Sequence, residues 1–244
     1  MIVDRTLAHA SAALLFDIDG TLFHGHGAGR RAFLAAISEH LGRPADDRGF
    51  SFAGRTDGEI LRVVLERNEA PSLTREERAR IFRGYLERLD SELDAGPPPR
   101  EIPGAVALIE RLSADSRFAV GLLTGNLRAG AETKLRRIGL WGPFHFGAFG
   151  DDHEDRDCLV PIGLARLVER GGPEIAPARA VVIGDTVRDI ACARAGGARV
   201  LAVGTSVAER DALRAAGPDA YADDLADAES IHRTLLWLAG LTPR

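Results

Sequence analysis

Four short apolar runs constrain the fold of this chain more than any other feature of its sequence. They span residues Ala12–Phe16, Phe118–Leu123, 180–183 and 200–203. Because apolar and polar residues do not alternate within them, each run predicts a strand that is covered on both faces, as in a parallel sheet. Helical patterns lie between the runs. The alternation predicts an α/β protein with a doubly wound, Rossmann-like parallel-sheet core.

The stretch from Phe23 to Pro97 has helical patterns and no strand signal. Apolar residues recur at fourfold spacing along it, and Thr74-Arg75-Glu76-Glu77 has the form of a capping box. Three prolines from Pro97 onward end the helical region, because proline does not continue a helix. We therefore predict an α/β core from residues 1–23 and 98–244, with a small all-helical cap domain inserted at residues 24–97.

Bulk composition excludes several classes of partner. The 244 residues carry a formal net charge of −5, which argues against a nucleic-acid or anionic-membrane surface as the main partner. No segment approaches the roughly 18 consecutive apolar residues of a membrane span. The two cysteines, Cys158 and Cys192, have no metal-ligand spacing, so we expect neither a disulfide framework nor a zinc site. These features predict a cytoplasmic globular protein.

Polar side chains follow three of the predicted strands. Asp17 and Asp19 come after the first run, Thr124 after the second and Asp185 after the third. In open α/β sheets, ligands bind beyond the carboxyl ends of the strands, so these residues should meet at one edge. Closely spaced carboxylates repel each other unless a cation lies between them. A hard cation with oxygen ligands, most simply Mg²⁺, would relieve that repulsion.

Three motifs at these positions resemble those of a known superfamily. Asp17-Ile18-Asp19-Gly20-Thr21, Thr124-Gly125-Asn126 and Gly184-Asp185-Thr186-Val187-Arg188-Asp189 are similar, in order and spacing, to motifs one, two and four of the haloacid dehalogenase-like hydrolases. The resemblance covers nearly the whole chain, and the helical stretch occupies the position of the family's cap.

The resemblance implies a role for each matching residue. Asp17 would be the nucleophile, and Asp19 would protonate the leaving oxygen and then activate water. An aspartate at position 19 favours phosphoryl transfer, since the dehalogenases of the family generally lack it. The implied ligands of the metal are Asp17, Asp19 through its backbone carbonyl, and Asp185, with Asp189 either a further ligand or a support for the others. The residues expected to hold the phosphoryl group are Gly20, Thr124, Gly125 and Asn126. Independently of the resemblance, Arg55 in the cap is a candidate to bind a substrate anion, with a surface arginine beside a capped helix as the alternative.

Motif three departs from the usual pattern. The family normally places a lysine before the helix that precedes the last catalytic strand, and here Arg156 stands near that position. The alternative is Lys134, the single lysine of the chain, because some branches supply the lysine from the helix after motif two. Lys134 has the setting of a surface charge on an amphipathic helix. We therefore favour Arg156 as the cation that bridges Asp17 and a phosphoryl oxygen.

The resemblance implies a Mg²⁺-dependent phosphatase that acts on a small phosphorylated metabolite through an aspartyl-phosphate, similar to phosphoglycolate phosphatase. A sugar phosphomutase of the β-phosphoglucomutase type is the main alternative, since it shares the core motifs and the cap. A binding protein without catalytic activity is a second alternative. We expect no nucleic-acid or membrane partner, and either a monomer or a small homo-oligomer.

Overall fold

A computed structural model describes residues 7–242. Its strands are β1 Ala12–Phe16, β2 Phe23–His24, β3 Arg100–Glu101, β4 Phe118–Leu123, β5 Gly147–Ala148, β6 Ala180–Gly184, β7 Arg199–Val203 and β8 Ala220–Ala222. Its α-helices are α1 Ala28–Leu41, α2 Asp57–Arg67, α3 Arg75–Ala95, α4 Ala105–Ser113, α5 Arg128–Arg137, α6 Leu159–Glu169, α7 Val187–Ala195, α8 Arg210–Ala215 and α9 Ala228–Leu238.

Six strands form one parallel sheet in the order β5-β4-β1-β6-β7-β8. The four strands predicted from the apolar runs are β1, β4, β6 and β7, so the predicted α/β class is confirmed. β1 lies in the middle, and its last residue, Phe16, pairs with Leu122 on one side and Ile183 on the other. The residues that follow β1, β4 and β6 therefore lie side by side at one edge of the sheet.

The helical stretch contains α1, α2 and α3. It leaves the core after β2 and returns at β3, and these two short strands pair with each other antiparallel. Inside the stretch, the ring of Phe33 on α1 packs against that of Tyr85 on α3, with the centroids 4.8 Å apart. The capping box expected at Thr74 is present, with the Thr74 and Glu77 side chains each bonded to the other residue's backbone.

The predicted core boundaries extend to residues 1–6 and 243–244, which lie outside the described residues. Within residues 7–242, no helix combines the length and apolarity that crossing a bilayer needs. Cys158 and Cys192 are both free thiols.

The helical stretch is seated directly on the sheet edge that carries the motifs. The hydroxyl of Thr56, which precedes α2, donates to the backbone carbonyl of Glu154 in a loop of the core. The Glu154 carboxylate in turn accepts a hydrogen bond from Arg62 of α2 at 2.7 Å. These contacts hold the helical stretch over the carboxyl ends of the strands.

Candidate active site

Three buried carboxylates meet at the carboxyl end of the sheet. Asp17 follows β1, Asp185 follows β6, and Asp189 lies in the first turn of α7; one oxygen of each lies within 4.8 Å of the others. The chain reaches this arrangement through Gly20, which has φ of +82°. A Cβ atom at position 20 would lie 2.1 Å from an Asp185 carboxylate oxygen, so only glycine fits there.

The acidic cluster is electrostatically unfavourable even beside the Arg156 guanidinium. Burial raises the pKa of Asp17 to about 7, against the lowering effect of Arg156. Burial and the neighbouring charge of Asp17 raise the pKa of Asp185 well above its ordinary value. A divalent cation between the carboxylates would favour their ionised forms, and an all-oxygen donor set suits a hard cation. The residues present therefore fit a divalent metal.

Arg156 lies beside the nucleophile position, buried with only 4% of its side chain exposed. Its Nη2 is 3.2 Å from Asp17 Oδ1 and also binds Asp189. The second oxygen of Asp189 accepts hydrogen bonds from the backbone N–H and the hydroxyl of Thr186. Because both of its oxygens already have protein partners, Asp189 orients Arg156 and the start of α7 as well as adding charge to the cluster.

Asp19 points away from the acidic cluster. Its Oδ2 accepts hydrogen bonds from Lys134 Nζ at 2.6 Å and from Asn126 Nδ2 at 2.8 Å. Half of the Asp19 side chain is exposed, in contrast to the buried Asp17. The side chain of Asp19 is thus directed toward the space above the sheet, which leaves its backbone carbonyl as the group that the resemblance implies for the metal.

The expectation that Lys134 is a surface charge is wrong. Only 4% of Lys134 is exposed, and its ammonium also donates to Asn126 Oδ1 at 2.6 Å. The reason is geometric: Lys134 lies on the buried face of α5, between Ala131 and Leu135, and that face turns toward the carboxyl end of β4. The structure therefore places two cations here, Arg156 beside Asp17 and Lys134 beside Asp19.

The loop after β4 brings motif two to the same place. Thr124 is fully buried, and its hydroxyl accepts a hydrogen bond from Asn126 Nδ2 at 2.8 Å. Thr21 of motif one, also fully buried, donates to Asp185 Oδ1 at 3.3 Å. Side chains from three separate strand ends are thus linked in one hydrogen-bonded site.

Residues 12–197, well over half of the chain, match the family model of the haloacid dehalogenase-like hydrolases. The chain belongs to this family. It is 29% identical over 215 residues to a phosphoglycolate phosphatase from Synechococcus elongatus, covering 85% of this chain and 90% of that one.

Two solved structures with a similar fold are CbbY and a β-phosphoglucomutase. CbbY from Rhodobacter sphaeroides, determined in complex with phosphate, superposes with a TM-score of 0.68 at 22% identity, covering 88% of this chain and 95% of the other. β-Phosphoglucomutase (pgmB) from Clostridium difficile superposes with a TM-score of 0.71 at 19% identity, covering 93% and 97%. At these identities the similarity concerns the fold.

A cavity of about 320 Å³ lies between the acidic cluster of the hydrolase and its helical stretch. Asp17, Asp19 and Lys134 of the core line it, together with Phe52 and Tyr85 of the helical stretch. Gly20, Gly125, Asn126 and Arg55, all expected to contact the substrate, also line it. The guanidinium of Arg55 stacks on the Phe50 ring and is paired with Glu59, so it reaches the cavity as part of an ion pair.

The sequence did not predict the burial of two groups of the hydrolase, Lys134 and Asp57, although Lys134 was the alternative for motif three. Lys134 is the only lysine in the chain, and its position one turn after Gly130 on a face with Ala131 was the signal that it is buried. Asp57, the first residue of α2, is 6% exposed and lines the cavity. An acidic residue at the start of a helix is ordinary, so no sequence signal distinguished Asp57.

Proposed function

We propose that this hydrolase is a Mg²⁺-dependent phosphatase that cleaves a small phosphomonoester through an aspartyl-phosphate on Asp17. One observation carries the proposal: two aspartates one residue apart have opposite surroundings. Asp17 is buried against Arg156 in the acidic cluster, whereas Asp19 is half exposed and faces the cavity. Carboxylates with such different environments are suited to separate roles as nucleophile and as general acid and base.

The chain's own groups account for both half-reactions. A carboxylate oxygen of Asp17 attacks phosphorus, the bond to the leaving oxygen breaks, and Asp19 gives that oxygen a proton. After the alcohol leaves, Asp19 takes a proton from a water molecule that attacks the aspartyl-phosphate. Inorganic phosphate is released, Asp17 is regenerated and Asp19 holds its proton again.

Charge neutralisation completes the proposed site. The bound metal would be held by Asp17, Asp185 and the Asp19 carbonyl, and would supply positive charge for the phosphoryl oxygens. Thr124 with the amides of Gly125 and Asn126 would hold those oxygens, and Arg156 would keep Asp17 oriented. Catalysis in phosphoryl transfer is mainly such positioning and electrostatic stabilisation.

The cavity supports a small substrate. Its volume of about 320 Å³ lies at the lower end of the range typical of small-molecule sites. The relative from Synechococcus makes 2-phosphoglycolate the first metabolite to test. A mutase remains the second candidate because β-phosphoglucomutase shares the fold. Incubation with a hexose 1-phosphate separates the two, since a mutase yields isomerised sugar and a phosphatase yields free phosphate.

The proposal places the enzyme in the cytoplasm, where its two free thiols would stay reduced. We propose no nucleic-acid or membrane partner. A monomer or a small homo-oligomer is sufficient, because every proposed site residue comes from one chain. A phosphopeptide should be a poor substrate, since the helical stretch covers the cavity.

The test is phosphate release from p-nitrophenyl phosphate, measured with Mg²⁺ and again after removal of metal by EDTA. We expect activity with Mg²⁺, none in EDTA, and recovery on adding Mg²⁺ back. Asp17→Asn keeps the shape but lacks the attacking charge, so it should retain less than about one part in a hundred of the activity. Asp223→Asn, which changes an exposed aspartate that pairs with Arg214 and does not line the cavity, is the control and should behave as wild type. Full activity in Asp17→Asn would refute the assignment of Asp17 as the nucleophile.

A further inference from the structure

Asp57 is a buried carboxylate that the proposed mechanism does not use. It begins α2 in the helical stretch, yet its hydrogen bonds run to the core. Its backbone N–H donates to the Gly125 carbonyl at 2.7 Å, and its Oδ2 accepts from the Leu127 N–H, also at 2.7 Å. One residue of the helical stretch therefore binds both sides of Asn126 in the loop after β4.

The helical stretch and the loop after β4 are in close backbone contact at Gly125. A Cβ atom at position 125 would lie 1.9 Å from the backbone carbonyl oxygen of Arg55, so a glycine is needed for the helical stretch to approach. Burial raises the pKa of Asp57 to about 7, whereas the nearby charge of Lys134 lowers it. Burying a carboxylate is unfavourable unless it is bonded, and here the bond comes from the Leu127 N–H of the core loop. The position therefore points to a role beyond packing.

The clamped loop carries the residue that orients the proton donor. Asn126 Nδ2 donates to Asp19 Oδ2, and Asn126 Oδ1 accepts from Lys134. The carboxylate of Asp19 is exposed on its cavity side, so its direction depends on these two partners. A shift of the loop at Gly125 or Leu127 would move Asn126 and turn Asp19 away from the leaving oxygen.

We propose that Asp57 is a positioning residue that aligns Asp19 for proton transfer by clamping the Asn126 loop when the helical stretch is seated over the cavity. The inference rests on the proposed phosphatase function. It makes proton delivery depend on the closed arrangement, because the clamp joins the helical stretch to the core. The helical stretch then acts on the chemistry through one carboxylate as well as by excluding water.

The test compares two substrates of similar size whose leaving groups differ in their need for a proton. p-Nitrophenolate leaves readily without one, whereas phenolate is a poorer leaving group and benefits from an acid. The measured quantity is kcat/KM, which reports phosphorylation of Asp17. Asp57→Ala should lower kcat/KM for phenyl phosphate by a factor at least about ten times larger than for p-nitrophenyl phosphate, because general acids contribute 10²–10⁴-fold. Asp57→Asn keeps an oxygen that accepts from Leu127 and should restore most of the difference.

Two further variants make the result decisive. Asp94→Ala removes another ion pair between the helical stretch and the core, the 2.5 Å contact with Arg137, which keeps its pair with Asp90. This variant should change kcat/KM for both substrates by the same factor. Asp57→Ser likewise removes the carboxylate's bond to Leu127 and leaves the backbone bond to Gly125, so it replaces Asp57→Ala if that variant does not fold. An equal loss on both substrates in Asp57→Ala or Asp57→Ser would overturn the inference and leave Asp57 a docking residue. If the wild type releases phosphate from neither ester, the proposed function itself fails.

Discussion

Replacing Lys134 with methionine should disable the site while leaving the fold in place. The ammonium makes two hydrogen bonds of 2.6 Å, to Asp19 Oδ2 and Asn126 Oδ1, and its side chain is 5% exposed. Methionine fills similar space and removes both bonds. The half-exposed Asp19 can turn to water, whereas the buried Asn126 oxygen loses its partner, which costs about 1–3 kcal/mol. For a chain of this size that lowers Tm by roughly 2–4 °C per kcal/mol.

The effect on catalysis should be larger than the effect on stability. Lys134 supplies positive charge beside Asp19 and fixes Asn126, so its loss should lower kcat by about 10²–10³-fold, as for removal of a single preorganised donor. The assay is steady-state hydrolysis of p-nitrophenyl phosphate at saturating Mg²⁺, with a thermal melt of each variant. Arg136→Met is the control, because Arg136 lies on the exposed side of the same helix and pairs with Glu132.

Lys134→Met within about threefold of wild type, or an equal loss in Arg136→Met, would refute this reasoning. It would mean that the contacts of Lys134 hold the helix in place and that Arg156 alone supplies the cation of motif three.

Three further outcomes follow from the site and from one distant carboxylate. Arg156→Ala should lower kcat at least about a hundredfold in the same assay, because it leaves Asp17 without its buried partner. Ca²⁺ should not replace Mg²⁺ in the phosphate-release assay, since it prefers more ligands and longer bonds. Hydrogen bonds from Arg117, and then from His232, hold the pKa of Asp115 below its ordinary value. The folded state therefore favours ionised Asp115, and this stabilisation is lost as pH falls below about 4. In denaturant titrations, the free energy of unfolding should decrease less on acidification for Asp115→Asn than for the wild type.

The central strands were predictable because each is a short apolar run that is buried on both faces. Ala12–Phe16 and Phe118–Leu123 were predicted to the residue. Since the sheet is parallel, knowing where the strands end also gave the place where Asp17, Thr124 and Asp185 would meet. The short strands β2, β3, β5 and β8 escaped detection, because two or three residues carry no periodicity.

The surroundings of individual charges were less predictable. The local pattern of α5 predicts a surface position for Lys134, because it is strongly charged, with Arg136 and Arg137 beside it. Its burial depends on which face of α5 meets the core, and that is fixed by tertiary packing. The contact between Asp57 and the Asn126 loop joins residues about 70 positions apart, which no local pattern encodes.

The central claim, a covalent phosphoryl group on Asp17, is open to direct chemical trapping. The enzyme is mixed with p-nitrophenyl phosphate and Mg²⁺, quenched in acid within the first turnover, and treated with borohydride, which reduces an acyl-phosphate to an alcohol. Peptide mass mapping should then find Asp17 converted to homoserine, with Asp19 and Asp185 unchanged and no conversion in a sample without substrate. Rapid phosphate release with unmodified Asp17 at every quench time, or conversion of another aspartate, would contradict the account.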